Sequence, residues 1–193
     1  MSLSKSVFLT LAVLAGCTSA PELDHYTLSV DRSGEARPTL NFEVERLATT
    51  GVLAGDRILI RASQTRIEHF KTARWAGGLG ELVQQKLATE LGPAIPGRRT
   101  VLVSGTVLAC GQLDTPAGPL AELRLEIELR DPARRRFEAP LLRRTYQATT
   151  PVAGASVESL VEALSRSAAE IAAAIAADAA ALAVEAAEAA PSP

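Results

Sequence analysis

Nucleophilic or redox chemistry in this chain would have to come from Cys17, Cys110, His25 and His69, because the 193 residues contain no other cysteine or histidine. A reactive thiolate needs a histidine partner or an electropositive setting. Neither histidine shares a recognisable motif with Cys110, and Cys110 ends the apolar run of residues 100–109, where a small thiol behaves as a hydrophobe. Glu126 and Glu128 could in principle act as an acid–base pair, but they lie two apart on the polar side of an alternating segment and read as solvated. Gly77-Gly78-Leu79-Gly80 is glycine-rich yet lacks the lysine and hydroxyl of a phosphate-binding loop, so it reads as a turn into a helix. There is no metal-spaced Cys/His cluster and no Gly-x-Ser-x-Gly elbow. The expectation is a protein without catalytic residues, metal or dissociable cofactor. A formal net charge of −2 also gives no electrostatic footprint for nucleic acid.

The chemistry of Cys17 is of another kind. Met1 to Ser6 are polar and carry Lys5, and residues 7–16 form an apolar run too short to cross a bilayer, the pattern of an export signal. Leu14-Ala15-Gly16-Cys17 matches the bacterial lipobox. That match implies cleavage before Cys17, a diacylglyceryl thioether on its sulfur and an acylated new amino terminus. Three chains exceed what stable anchoring needs, so the lipid on Cys17 would tether the protein to a membrane without spanning it. Thr18 is not the aspartate that retains such lipoproteins in the inner membrane, which favours the periplasmic face of the outer membrane. With Cys17 acylated, Cys110 has no intramolecular partner and no disulfide forms.

The remaining residues describe the body that this anchor would hold. Residues 17–24 are short, polar and proline-containing, a tether. Residues 26–30 are β-prone. In residues 39–47, Leu40, Phe42 and Val44 alternate with Asn41, Glu43 and Glu45, predicting a half-buried strand. Residues 57–62 and 66–70 read as two short strands joined by Ser63-Gln64-Thr65. A helix over 78–91 places Leu79, Leu82, Val83, Leu87 and Leu91 on one face and stops at Gly92-Pro93. Residues 100–109, 120–130 and 141–149 complete the strands, and the second alternates Leu123, Leu125, Ile127 and Leu129 with charged residues. Asp131-Pro132-Ala133 with Arg134, Arg135 and Arg136 reads as a hairpin tip, solvated or set against anionic lipid headgroups. A long helix begins near Ser156, with an apolar stripe at Val157, Leu160, Val161, Leu164, Ala168, Ile171 and Ile175. Beyond Ala176 the stripe thins, Asp178 interrupts it, and alanine dominates. Asp178, Glu185 and Glu188 argue against a membrane-spanning helix.

These elements carry a family resemblance. The lipobox, Asp24-His25-Tyr26-Thr27-Leu28, Asp56-Arg57-Ile58-Leu59-Ile60-Arg61, and the stretch from Phe70 through Arg74-Trp75-Ala76-Gly77-Gly78-Leu79 follow one another in the order of the ABC-type transport auxiliary lipoproteins, PqiC-like group. The resemblance covers residues 17–176. The chain departs from the family at Gly77, where an acidic residue is usual, and at residues 47–50, which lack a Leu-Pro turn. The resemblance implies a non-catalytic, outer-membrane-anchored subunit that faces the periplasm and works with an MCE-type substrate-binding protein and an ABC permease and ATPase in lipid transport. A ring of identical subunits is one arrangement that would suit it. Trp75 is a candidate contact for a partner or lipid, or else packs the helix start onto the sheet.

The expected architecture is two-layer α+β, with a mixed or mainly antiparallel sheet of about six strands and two helices packed on one face. Its parts are a signal peptide over 1–16, a lipidated tether over 17–24, one domain over 25–176 and an alanine-rich extension over 177–193. Two alternatives stay open, a structural envelope lipoprotein and a periplasmic lipid carrier, the latter needing an apolar void lined by residues such as Leu82, Leu123 and Ile171.

Overall fold

A computed structural model describes residues 21–32, 38–135 and 138–188, so Cys17, its lipobox residues Leu14, Ala15 and Gly16, and Arg136 lie outside the described residues. In chain order the elements are β1 (Asp24–Tyr26), β2 (Asn41–Val44), β3 (Ala48–Thr49), a 3-10 turn (Gly51–Leu53), β4 (Arg57–Arg61), β5 (Ile67–Trp75), α1 (Leu79–Leu91), β6 (Thr100–Thr115), β7 (Gly118–Arg130), β8 (Leu142–Pro151) and α2 (Val157–Glu188).

The alternation of residues 120–130 becomes the centre of the sheet. Ala121, Leu123, Leu125, Ile127 and Leu129 are fully buried on one face of β7, while the charged residues between them point to the other. β7 pairs antiparallel with β6 from Leu102↔Arg130 to Thr115↔Gly118, and with β8 along most of its length. β6 is six residues longer than its apolar run, because Gly111 to Thr115 are held by pairing to β7 and not by hydrophobicity of their own. That length explains why the sheet has eight strands, more than the sequence predicts. The far edge of β6 is long enough to take β2, β3 and β4 one after another in parallel register, at Thr100, Thr106 and Gly111. β5 returns antiparallel to β4, and β1 lies parallel on β5, so the sheet is mixed.

A bulge between Val107 and Ala109 adds one residue to β6. A one-residue insertion exchanges the two faces of a strand. The change brings Cys110 opposite Leu123 and into the core, 3% exposed.

Glycine 80 shows why the Gly77–Gly80 run is needed. A Cβ there would fall on the backbone carbonyl of Leu47, so only glycine lets the first turn of α1 lie against the chain between β2 and β3. At the other end Gly92, with φ 82°, closes α1 as expected. Ser156 caps α2 by accepting a bond from the Ser159 N–H at 3.2 Å.

α2 touches β6, β7 and β8, and α1 touches α2, β2 and β3. Leu160, Leu164, Ala168, Ile171 and Ile175 are 0–2% exposed within a core shared with the β7 residues. Residues Val157–Val184 are long and apolar enough to cross a bilayer, but this stripe is spent on the sheet. The helix also runs past Ala176 without a break. Asp178 is no defect in the packing: its carboxylate accepts hydrogen bonds from Tyr146 Oη at 2.6 Å and Arg144 at 2.9 Å, fastening α2 to β8.

Two expectations need correction. The first strand ends at Tyr26, after which the chain leaves the sheet for α2, where the Ser29 N–H donates to Ser165 Oγ at 3.0 Å and Leu28 is buried. Asn41 is not on a solvated face. It is 8% exposed, and its amide bonds the Ile95 and Arg98 carbonyls and the Ile95 N–H, tying β2 to the loop before β6.

Candidate functional site

The two ends of α2 differ in character. At its start, Tyr26 Oη donates to Glu158 Oε1 at 2.9 Å, so the chain emerging from the Cys17 side enters the fold here. A rise of about 1.5 Å per residue puts Leu182 about 36 Å further along the helix. There the β7–β8 loop carries the sequence-predicted arginines. The Asp131 carboxylate organises that loop by accepting from the Ala133 N–H at 2.9 Å and from Arg99 at 2.8 Å, and these two bonds hold its carboxyl below the usual carboxylate range. Arg134 and Arg135 are exposed on it, and the Arg135 N–H donates to Glu138.

Beside the loop is a cleft of about 310 Å³ between the last turns of α2 and the ends of β6 and β7. Val101, Leu129 and Ala179, each nearly or fully buried, form its floor. Leu40 and Leu182 are half-buried walls, and the exposed Arg99 and Arg134 stand at its mouth. The void that a lipid carrier was expected to form around Leu82, Leu123 and Ile171 is instead packed core, with these side chains 8%, 0% and 2% exposed.

Trp75 lies 3% exposed in the core, with its backbone paired to Tyr26 and its N–H bonded to the Asp56 carbonyl at 2.6 Å. It packs where β5 meets α1 and presents almost no surface. The structure therefore brings Arg134 and Arg135 together and keeps Trp75 apart from them.

Cys110 is buried, and burial pushes its thiol up to about 12. At pH 8 its thiolate fraction is then far below that of an exposed cysteine. Native protein with Cys17 acylated is expected to resist maleimide labelling and to take up one equivalent only after denaturation. Rapid labelling of native protein would show that the site opens. Among the described residues no group of three or more His, Cys, Asp or Glu side chains is placed to hold a metal ion.

On the open face of the sheet Glu128 is engaged, not freely solvated. Glu128 pairs with Arg130 at 2.7 Å and with Arg143 on β8, and the two guanidinium groups hold its carboxyl below the usual range. Sequence reasoning also missed the buried pair Lys86–Glu90 and the role of Arg99. The i,i+4 spacing of the pair is visible, but it reads as a surface pair until the fold covers it.

This arrangement, a mixed sheet backed by α2, is that of a known family. The family model for "ABC-type transport auxiliary lipoprotein component" matches residues 26–176. The chain belongs to this family. Among solved structures, the auxiliary lipoprotein is similar to a Xanthomonas campestris protein of family-model DUF330, with a TM-score of 0.68 at 12% identity over 86% of this chain and 99% of that one. It is also similar to an uncharacterized protein, with a TM-score of 0.61 at 16% identity over 82% and 99% of the respective chains. At these identities the likeness is one of fold. Comparison with curated proteins gives no match. The family places the auxiliary lipoprotein with ABC-type transport and with the membrane envelope.

Proposed function

We propose that this auxiliary lipoprotein is a non-catalytic docking subunit, anchored by lipid on Cys17 to the periplasmic face of the outer membrane. Its partner would be an MCE-type substrate-binding protein served by an ABC permease and ATPase that move lipid between membranes. The family match over residues 26–176 carries this reading. The geometry supports it: a tether over residues 17–24 can extend about 25 Å, and the long α2, in contact with β6, β7 and β8, stiffens a body longer than that. Such a domain can hold one end near the lipid surface and offer the Arg134 end to a partner in the periplasm. Identical subunits arranged as a ring would repeat that end around an axis.

Removing the anchor separates position from fold. The Cys17→Ser protein is expected to leave the membrane fraction, keep its melting temperature, and fail to complement a strain lacking the gene. The gene is expected beside genes for a permease, an ATPase and an MCE protein. Full complementation by Cys17→Ser would sink the positional mechanism.

A further inference from the structure

We infer that the cleft beside α2 is a binding site for one alkyl chain bearing an anionic head, with the chain over Leu129 and the head on Arg134. Three observations point there. First, the cleft's roughly 310 Å³ lies at the small end of the range for ligand sites, enough for part of one alkyl chain and too little for a paired diacyl tail. Its walls are aliphatic, and the half-buried Leu40 and Leu182 leave apolar surface that a chain would cover.

Second, Arg134 borders two spaces. It lines the apolar cleft and also an adjoining recess of about 230 Å³ whose charged lining is Arg130, Arg135, Glu45, Asp131 and Glu138. An apolar chamber and a charged chamber meeting at one guanidinium match the two halves of an amphiphile. Third, the charges around that point leave Arg134 available. Arg99 is paired with Asp131, and Arg130 with Glu128. The Arg134 guanidinium has no hydrogen bond or ion pair among the described residues and acts on Asp131 only across space. A guanidinium presents its donors in a planar fork suited to a carboxylate or a phosphate. Either a fatty acid or a lysophospholipid supplies that chemistry.

This site deepens the proposed transport role by naming a cargo class, but it rests on the cleft alone. Loss of lipid binding and loss of the transport partner are read by different experiments. The test uses the full lipoprotein in lipid nanodiscs, with three photoactivatable probes of equal chain length: a palmitate analogue, a lysophosphatidylglycerol and an alkyltrimethylammonium. The anionic probes are expected to label peptides containing Leu129 or Leu182, exceeding the cationic probe about three- to fivefold. Labelling by only one anionic probe identifies the head. Ala183 also lines the cleft, and Ala183→Trp, which fills it, should reduce labelling about tenfold. Arg134→Glu, an exposed change that leaves the fold intact, should erase the preference for anionic probes. If Ala183→Trp unfolds, as its melting curve would show, Arg134→Glu alone decides. Labelling scattered over the surface, labelling unaffected by a folded Ala183→Trp protein, or equal labelling by anionic and cationic probes would overturn the proposal.

Discussion

Lys86→Met is expected to destabilise the fold by about 3–5 kcal/mol, the cost of removing one partner of a buried ion pair. Lys86 Nζ lies 2.6 Å from Glu90 Oε1 and donates to the Asp31 carbonyl at 2.7 Å, and the two side chains are 1% and 3% exposed. With the pair intact the Glu90 carboxylate is nearly sealed from water, so solvent does little to replace the lysine's contact. For a chain of this size, 3–5 kcal/mol corresponds to a fall in melting temperature of about 6–20 °C. The double variant Lys86→Met/Glu90→Leu should recover most of that loss, because an apolar pair of similar volume replaces both desolvated charges. Urea denaturation followed by circular dichroism checks both. A single variant as stable as the parent would mean that the pair is reached by solvent.

Leu164→Ala should cost about 2–5 kcal/mol, as large-to-small changes at sealed positions do, whereas Leu182→Ala should cost less than about 1 kcal/mol. Leu164 is 0% exposed at the middle of the α2 stripe, surrounded by side chains that cannot close over a cavity. Leu182 is half-buried against the cleft and has solvent on one side already. Equal losses at the two positions would show that the last turns of α2 belong to the cooperative core. The comparison thereby tests whether the domain's stabilising packing ends near Ala176.

These contrasts show which parts of the fold are legible in sequence. β7 is legible because each of its faces has a single environment, so the period of two survives intact. α1 is legible because Gly78 and Gly92 bracket a clear apolar face. The bulge in β6 is not, since Val107, Leu108, Ala109 and Cys110 are all apolar and any register leaves an apolar residue inside. Asn41 and Asp178 misread for one shared reason: a polar residue beside an apolar stripe signals solvent until a specific partner is known, and those partners lie 32 to 57 residues away. For the site, Arg134 and Arg135 are legible as an exposed basic tip. The cleft is not, because it joins Leu40, Val101, Leu129 and Leu182, which no local pattern groups together.

The account makes the molecule a positioning device. One end of α2 lies near the chain that leads from the Cys17 side, and the other holds the arginine-lined cleft. Its central claim is association with a transporter. Affinity purification of the lipidated protein from crosslinked, gently solubilised envelopes, with Cys17→Ser as control, tests that most directly. The account predicts that an MCE-type protein with its permease and ATPase is recovered with the wild type and depleted with the control. Recovery of the lipoprotein alone, or with cell-wall components only, would contradict it.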